Sequence, residues 1–298
     1  MATTDRWAEW VLRTRHGDDP ARHAEAMRVL GPIRDRVLDA AAPAPGETVL
    51  DVGCGDGLLG FAALDRVAPD GAVVFSDVSE ALLEHCRGTA GALGVAGRCR
   101  FVATGLPELA GIPDGSVDVA VLRSVLMYVR DKQACLRTLH RVLRPGGRLS
   151  LFEPVNRFGS PEPPDRLWTF DVSQPPEVRE LADRVVAAAR ADRPADDPIL
   201  DYDERDLLAA AEAAGFAELS LAYEARVGTE VGFGLTRAPI GEMLGIAPNP
   251  TSPTYGELLD RALAPGERDR LVAHLAGQSP ERRLARLAVA YLSARRPT

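Results

Sequence analysis

Thr48-Val-Leu-Asp-Val-Gly-Cys-Gly-Asp-Gly-Leu-Leu-Gly60 is the stretch on which the reading of the fold turns. Val49 to Val52 is a short apolar run with β-branched residues, the pattern of a buried strand. Glycines follow at 53, 55 and 57, and a helical pattern begins at Leu58. Strand, glycine turn and helix in that order open a nucleotide-binding α/β unit, in which bare N–H groups at the helix N-terminus meet the ligand. Gly55-x-Gly57-x-x-Gly60 also fits the dinucleotide fingerprint, so NAD-dependent oxidoreduction is one reading. Against it, Asp51 near the strand end and Asp56 inside the turn would repel a pyrophosphate. A cationic ligand without phosphate suits the turn better.

S-adenosylmethionine (SAM) is such a ligand, with an ammonium and a sulfonium. Val49-Leu-Asp-Val-Gly-Cys-Gly-Asp-Gly57 resembles motif I of the class I SAM-dependent methyltransferases. Asp77, closing Ala72-Val-Val-Phe-Ser-Asp77, matches the acid of that family's second strand. It lies about 20 residues beyond Gly57, where an acid for the ribose hydroxyls is expected. Pro113-Asp-Gly-Ser-Val-Asp-Val-Ala-Val121 and Leu139-His-Arg-Val-Leu-Arg-Pro-Gly-Gly-Arg-Leu149 resemble later segments, so the likeness covers roughly residues 45 to 155.

The resemblance implies an α/β protein with a doubly wound, seven-stranded Rossmann-like methyltransferase sheet whose last strand is antiparallel. It implies SAM as cofactor and S-adenosylhomocysteine as product. The residues it marks for the cofactor are Asp51, Gly53, Cys54, Gly55, Asp77, Val78, Thr104, Gly105, Leu106 and Arg123. Many members carry an acid after the third strand for the adenine amino group; here Thr104 and Gly105 stand in its place. Adenine is then held by Thr104, by backbone at Leu106, or by stacking.

The chain of 298 residues is long enough for a full α/β core. Its net charge of −8 disfavours a nucleic-acid surface. Cys54, Cys86, Cys99 and Cys135 form no C-x-x-C pair and have no histidine at zinc spacing, so no metal site is expected. No apolar signal core opens the chain, and no run of 18 apolar residues occurs. The expectation is a cytoplasmic protein acting on a small molecule, with no membrane or nucleic-acid partner and its oligomeric state open.

In chain order, residues 1–45 read as an N-terminal helical lid, with Trp7 and Trp10 on one face of a helix and residues 21–42 as one or two helices, Pro32 breaking the run or starting a turn. Residues 46–157 are the cofactor-binding core. Its fourth strand ends at Arg123, where a guanidinium suits the SAM carboxylate or a substrate acid. Glu153, Asn156 and Arg157 leave the C-terminal end of the fifth strand, where open α/β sheets present their ligands. With Trp7, Trp10 and Tyr128 they are the substrate-site candidates.

Residues 158–202, rich in proline and acids, read as a cap near the acceptor, and 203–227 continue the core. Residues 228–284 read as a second, helical cap, and 285–298 as the last core strand, antiparallel at the sheet edge. A helix over 281–293 competes with that strand, because Leu and Ala favour it. No dedicated base stands out; Tyr128, His16 and His23 are the catalytic candidates. The leading expectation is methyl transfer to a small molecule, possibly a specialised metabolite. The alternatives are a cyclase or other catalyst that binds SAM without consuming it, and a nucleotide-binding regulatory module.

Overall fold

The computed structural model describes residues 5–15, 20–229 and 238–298. Among these, seven strands form one sheet: β1 (Thr48–Val52), β2 (Ala72–Asp77), β3 (Cys99–Ala103), β4 (Val117–Arg123), β5 (Leu143–Pro154), and, after a small separate hairpin of β6 (Arg166–Leu167) and β7 (Phe170–Asp171), β8 (Ala217–Gly228) and β9 (Ala285–Arg295). The order is β3-β2-β1-β4-β5-β9-β8. The first five strands are mutually parallel, and β9 runs antiparallel to both β5 and β8. This is the doubly wound, seven-stranded arrangement expected from the sequence.

β1 is the centre of the winding. From it the chain goes outward through β2 to β3, then returns to its other side for β4 and β5. The carboxyl ends of β1 and β4 therefore frame the topological switch point, where sheets of this type open a crevice. The register sets Asp51 beside both Phe75 and Val121. Central strands buried on both faces need continuous apolar runs. Val49, Leu50 and Val52 of β1 and Val119 to Leu122 of β4 are accordingly fully buried.

Helices cover both faces. α1 (Arg6–Glu9) runs into a π-helical turn, Trp10–Thr14, and α2 spans Pro20–Ala41 without interruption. Of the one or two helices expected over residues 21–42, one forms, and beyond Pro32 the side chains of Ile33, Val37, Leu38 and Ala41 pack into the core. That burial offsets the roughly 3 kcal/mol an internal proline costs a helix. α3 (Leu58–Arg66) and α4 (Glu80–Ala92) share the α2 face, while α5 (Lys132–Val142) covers the other. Ser79 caps α4 by accepting the Leu82 N–H, and Asp131 caps α5 by accepting the Ala134 N–H.

α6 (Pro176–Ala191), α8 (Ile240–Met243), α9 (Tyr255–Ala262) and α10 (Pro265–Ala276) lie outside the sheet layers, whereas α7 (Glu204–Ala213) joins α5. The two segments read as separate caps share one core, in which Leu181 and Val185 of α6 meet Met243, Leu259 and Leu271. Arg283 ties them further, donating to Thr169 Oγ1 and to the Ala238 carbonyl. Among the described residues, no helix is long and apolar enough to cross a membrane.

The end of the chain is a strand, and its position corrects the expectation. β9 is internal, hydrogen-bonded on both sides, and β8 takes the edge. Pairing on two sides outweighs the helical propensity of Leu and Ala. The burial of Ala288, Val289, Ala290, Leu292 and Ala294 fits a slot inside the sheet, whereas β8 has no buried residue.

Candidate active site

The turn after β1 is built from backbone that only glycine adopts easily. Gly53, Gly55 and Gly57 have φ of 63°, 55° and 86°. Space is short as well: a Cβ on Gly53 would stand 2.7 Å from Val125 Cγ2. Two carboxylates lock this turn. Asp51 accepts the Gly60 N–H at 2.8 Å, and Asp77 accepts those of Gly55 at 3.0 Å and Ser79 at 2.9 Å. Burial pushes the Asp51 carboxyl up to about 7, against the pull of the Gly60 N–H and of Arg123. Asp77 is raised as well, by burial first, with its N–H donors opposing.

These residues face a cavity of about 840 Å³, in the upper part of the range of roughly 300–1,000 Å³ for small-molecule sites. Asp51, Gly53, Cys54, Gly55, Asp77, Val78, Thr104, Gly105, Leu106 and Arg123 all line it. The ten expected cofactor residues are thus brought to one place from β1, β2, β4 and the loop after β3. Val78 is 64 % exposed there, although it is a valine, and offers a flat apolar face. Gly105 leaves room beside it: a Cβ there would come within 2.6 Å of Val78 Cγ1 and would have to displace that side chain. Cys54 lies against Cys86, and that contact and burial hold its thiol protonated.

The substrate candidates divide. Trp7, Trp10, Tyr128 and Asn156 line the same cavity. Trp7 meets the Tyr128 ring edge-on at 4.8 Å, and the Trp10 indole donates to the Ala247 carbonyl at 3.0 Å, joining the N-terminal segment to the residue-238–284 cap. The start of that segment is fastened too: Asp5 accepts the Ser79 hydroxyl at 2.6 Å. Asn156 Nδ2 is buried with no hydrogen-bond partner among the described residues.

Glu153 and Arg157 depart from expectation. Glu153 is fully buried behind the cavity wall and accepts the N–H groups of Val125, Leu126 and Met127 at 2.8, 2.9 and 3.2 Å. It holds the segment after β4 in place and does not reach the cavity. Arg157 points outward and is exposed, because the short 3₁₀ turn Asn156–Gly159 directs only Asn156 inward. Residues 158–202 supply no lining side chain either; that cap buttresses the 238–284 segment, whose Pro239, Glu242, Ile246, Ala247 and Pro248 do line the cavity.

Of the catalytic candidates, Tyr128 faces the cavity, but burial pushes its hydroxyl up to about 12, so it is a neutral donor rather than a base. His16 lies outside the described residues, as does the side chain of His23. Arg15 lines the cavity and was not singled out beforehand. Its only signal in the sequence was proximity to the two tryptophans.

Residues 43–187 match the family model of a methyltransferase domain. Over that stretch, just under half of the chain, the sequence is that of a methyltransferase domain. Nocamycin O-methyltransferase of Saccharothrix syringae is 32 % identical to it over 168 residues, 56 % of each chain. The chain spans about half the length of the curated relatives it matches. Among solved structures, geranyl diphosphate C-methyltransferase from Streptomyces coelicolor A3(2), with Mg2+, geranyl diphosphate and S-adenosyl-L-homocysteine, aligns with a TM-score of 0.53 at 16 % identity. That alignment covers 94 % of this chain and 86 % of the other. The [4+2]-cyclase SpnF aligns with a TM-score of 0.51 at 21 % identity, over 90 % of this chain and 80 % of the other. At these identities the solved structures establish the fold of the domain and nothing finer.

Proposed function

We propose that the chain is a SAM-dependent methyltransferase acting on a small, largely apolar acceptor in the cytoplasm. The observation that carries this reading is the convergence of motif I, Asp77, Val78 and Leu106 on one cavity that the tryptophan segment and the 238–284 cap close. The residues fit the cofactor. The N–H-tied carboxylate of Asp77 would accept from the ribose hydroxyls, and Val78 and Leu106, which line the same cavity, would flank the purine. Asp51 and Arg123 are electrostatically coupled and offer an acid and a cation to an amino-acid end.

When bound, SAM supplies an electrophilic methyl on a sulfonium. This chain's residues would orient an acceptor against it and exclude water, which can provide much of the acceleration of a displacement that forms no covalent enzyme intermediate. Trp7, Trp10 and Tyr128 shape the acceptor space, and the unpaired Asn156 amide is a donor for an acceptor oxygen. The acidic surface and enclosed cavity favour a small molecule over a nucleic acid.

A second reading is a catalyst that holds SAM without consuming it. It is favoured by Tyr128, the expected catalytic candidate that lines the cavity, being held protonated. Calorimetric titration with SAM, S-adenosylhomocysteine and NAD tests the cofactor, and release of S-adenosylhomocysteine on an acceptor panel separates the two readings. Binding of both adenosyl ligands is expected, with affinity lowered about 10- to 100-fold in Asp77→Ala. Binding of NAD alone would overturn the proposal.

A further inference from the structure

Among the described residues, two guanidiniums line the cavity, while the cofactor brings one carboxylate. Arg123, at the end of β4, is the cation coupled to Asp51, and together they match the two charges of an amino-acid end. Arg15 is left over. It follows the π-helical turn, with its guanidinium 5.1 Å from the Trp10 ring centroid, and Trp10 is itself fastened to Ala247 of the cap. Among the described residues, neither Arg15 nor Arg123 forms an ion pair. Burial and then the Arg123 charge push Arg15 down to about 10, and Asp56 attracts it too weakly to offset them. A desolvated cation beside a like charge gains most from an anion delivered by a ligand.

We propose that the acceptor is an apolar molecule bearing a carboxylate, and that Arg15 binds this carboxylate between the N-terminal segment and the cap. This rests on the SAM reading above. A planar two-oxygen anion matches the guanidinium fork. A single negative charge is also what the site tolerates, since Asp51, Asp56, Asp77 and Glu242 line the same cavity and would oppose a phosphate dianion. The cavity that Arg15 lines is largely apolar, with Trp7, Val11, Val129 and Ile246 among its walls. Asn156 Nδ2 is a second donor for an oxygen of the same molecule.

The test is calorimetric titration of the full chain, saturated with S-adenosylhomocysteine, with octanoate, decanoate and 4-phenylbutyrate, each against its methyl ester, and with decyl phosphate. At least one acid is expected to bind about tenfold tighter than its ester, the size of one charge-assisted contact. Arg15→Gln should abolish that preference while S-adenosylhomocysteine affinity stays within about twofold, and Arg15→Lys should keep part of it. Esters binding as well as acids in every pair, decyl phosphate binding tighter than decanoate, or an acid preference that survives Arg15→Gln overturns the proposal. So does loss of S-adenosylhomocysteine affinity in Arg15→Gln, which would make Arg15 a cofactor residue. Failure of the unmutated chain to bind S-adenosylhomocysteine is a separate result, and it defeats the cofactor reading itself.

Discussion

Lowering the pH should weaken cofactor binding through one carboxyl. Asp51 is buried, and its folded value stands at about 7 against an ordinary 3.8. An ammonium placed beside it favours the ionised form, so below pH 7 binding must first expel a proton. If ionised Asp51 is required, apparent affinity scales as 1/(1 + 10^(7 − pH)), a loss of about eightfold between pH 7.5 and 6, or roughly 1.3 kcal/mol. S-adenosylhomocysteine is the ligand of choice, since it is not turned over. Calorimetry at pH 6 in two buffers of different ionisation enthalpy should also register release of about 0.9 proton per ligand bound. Asp51→Asn keeps an oxygen for the Gly60 N–H but cannot titrate, so its affinity should be lower at pH 7.5 and flat across the range. An affinity of the unmutated protein that does not change with pH would refute this reasoning. A slope that persists in Asp51→Asn would do so too, and would point to Asp77, which burial also raises.

Further expectations follow from the same groups. Glu153→Ala strands three N–H groups behind the cavity and should cost on the order of 3–5 kcal/mol, read as a fall in Tm. A change within 1 kcal/mol would show that Glu153 does not hold the segment after β4. Without ligand, stability should fall as pH rises through about 7. Asp51 and Glu153 both have folded values raised to about 7 by burial, so the fold binds their protons more tightly than the unfolded chain and their contribution is lost on ionisation. A Tm at pH 8 equal to or above that at pH 5.5 would count against both assignments. Trp10→Phe removes the indole donor to Ala247, and amide exchange over residues 6–14 should quicken about fivefold, as expected for a bond of about 1 kcal/mol. Unchanged exchange would mean that other contacts hold the segment down.

The strand–glycine–helix unit and Asp77 were legible because they are local. Gly53, Gly55 and Gly57 are needed for their own φ values, and Asp77 sits one strand away at a spacing set by the βαβ unit. All ten residues assigned to the cofactor consequently reach the cavity. Glu153 and Arg157 were misjudged because residue type and strand position do not reveal which way a side chain turns. Glu153 faces three backbone N–H groups that no sequence pattern announces, and Arg157 is carried outward by a single 3₁₀ turn.

By itself, the sequence determined the α/β class, the strand–glycine–helix turn and the residues gathered around it, since short-range backbone demands on glycine, apolar runs and strand-end acids suffice for these. Tertiary structure alone decided that residues 285–295 form a strand inside the sheet, because only pairing with β5 and β8 tips an Ala- and Leu-rich segment away from helix. It alone decided that the two insertions share one core, and that Arg15 ends near Arg123. These are contacts between residues far apart in the chain, which depend on how the layers close.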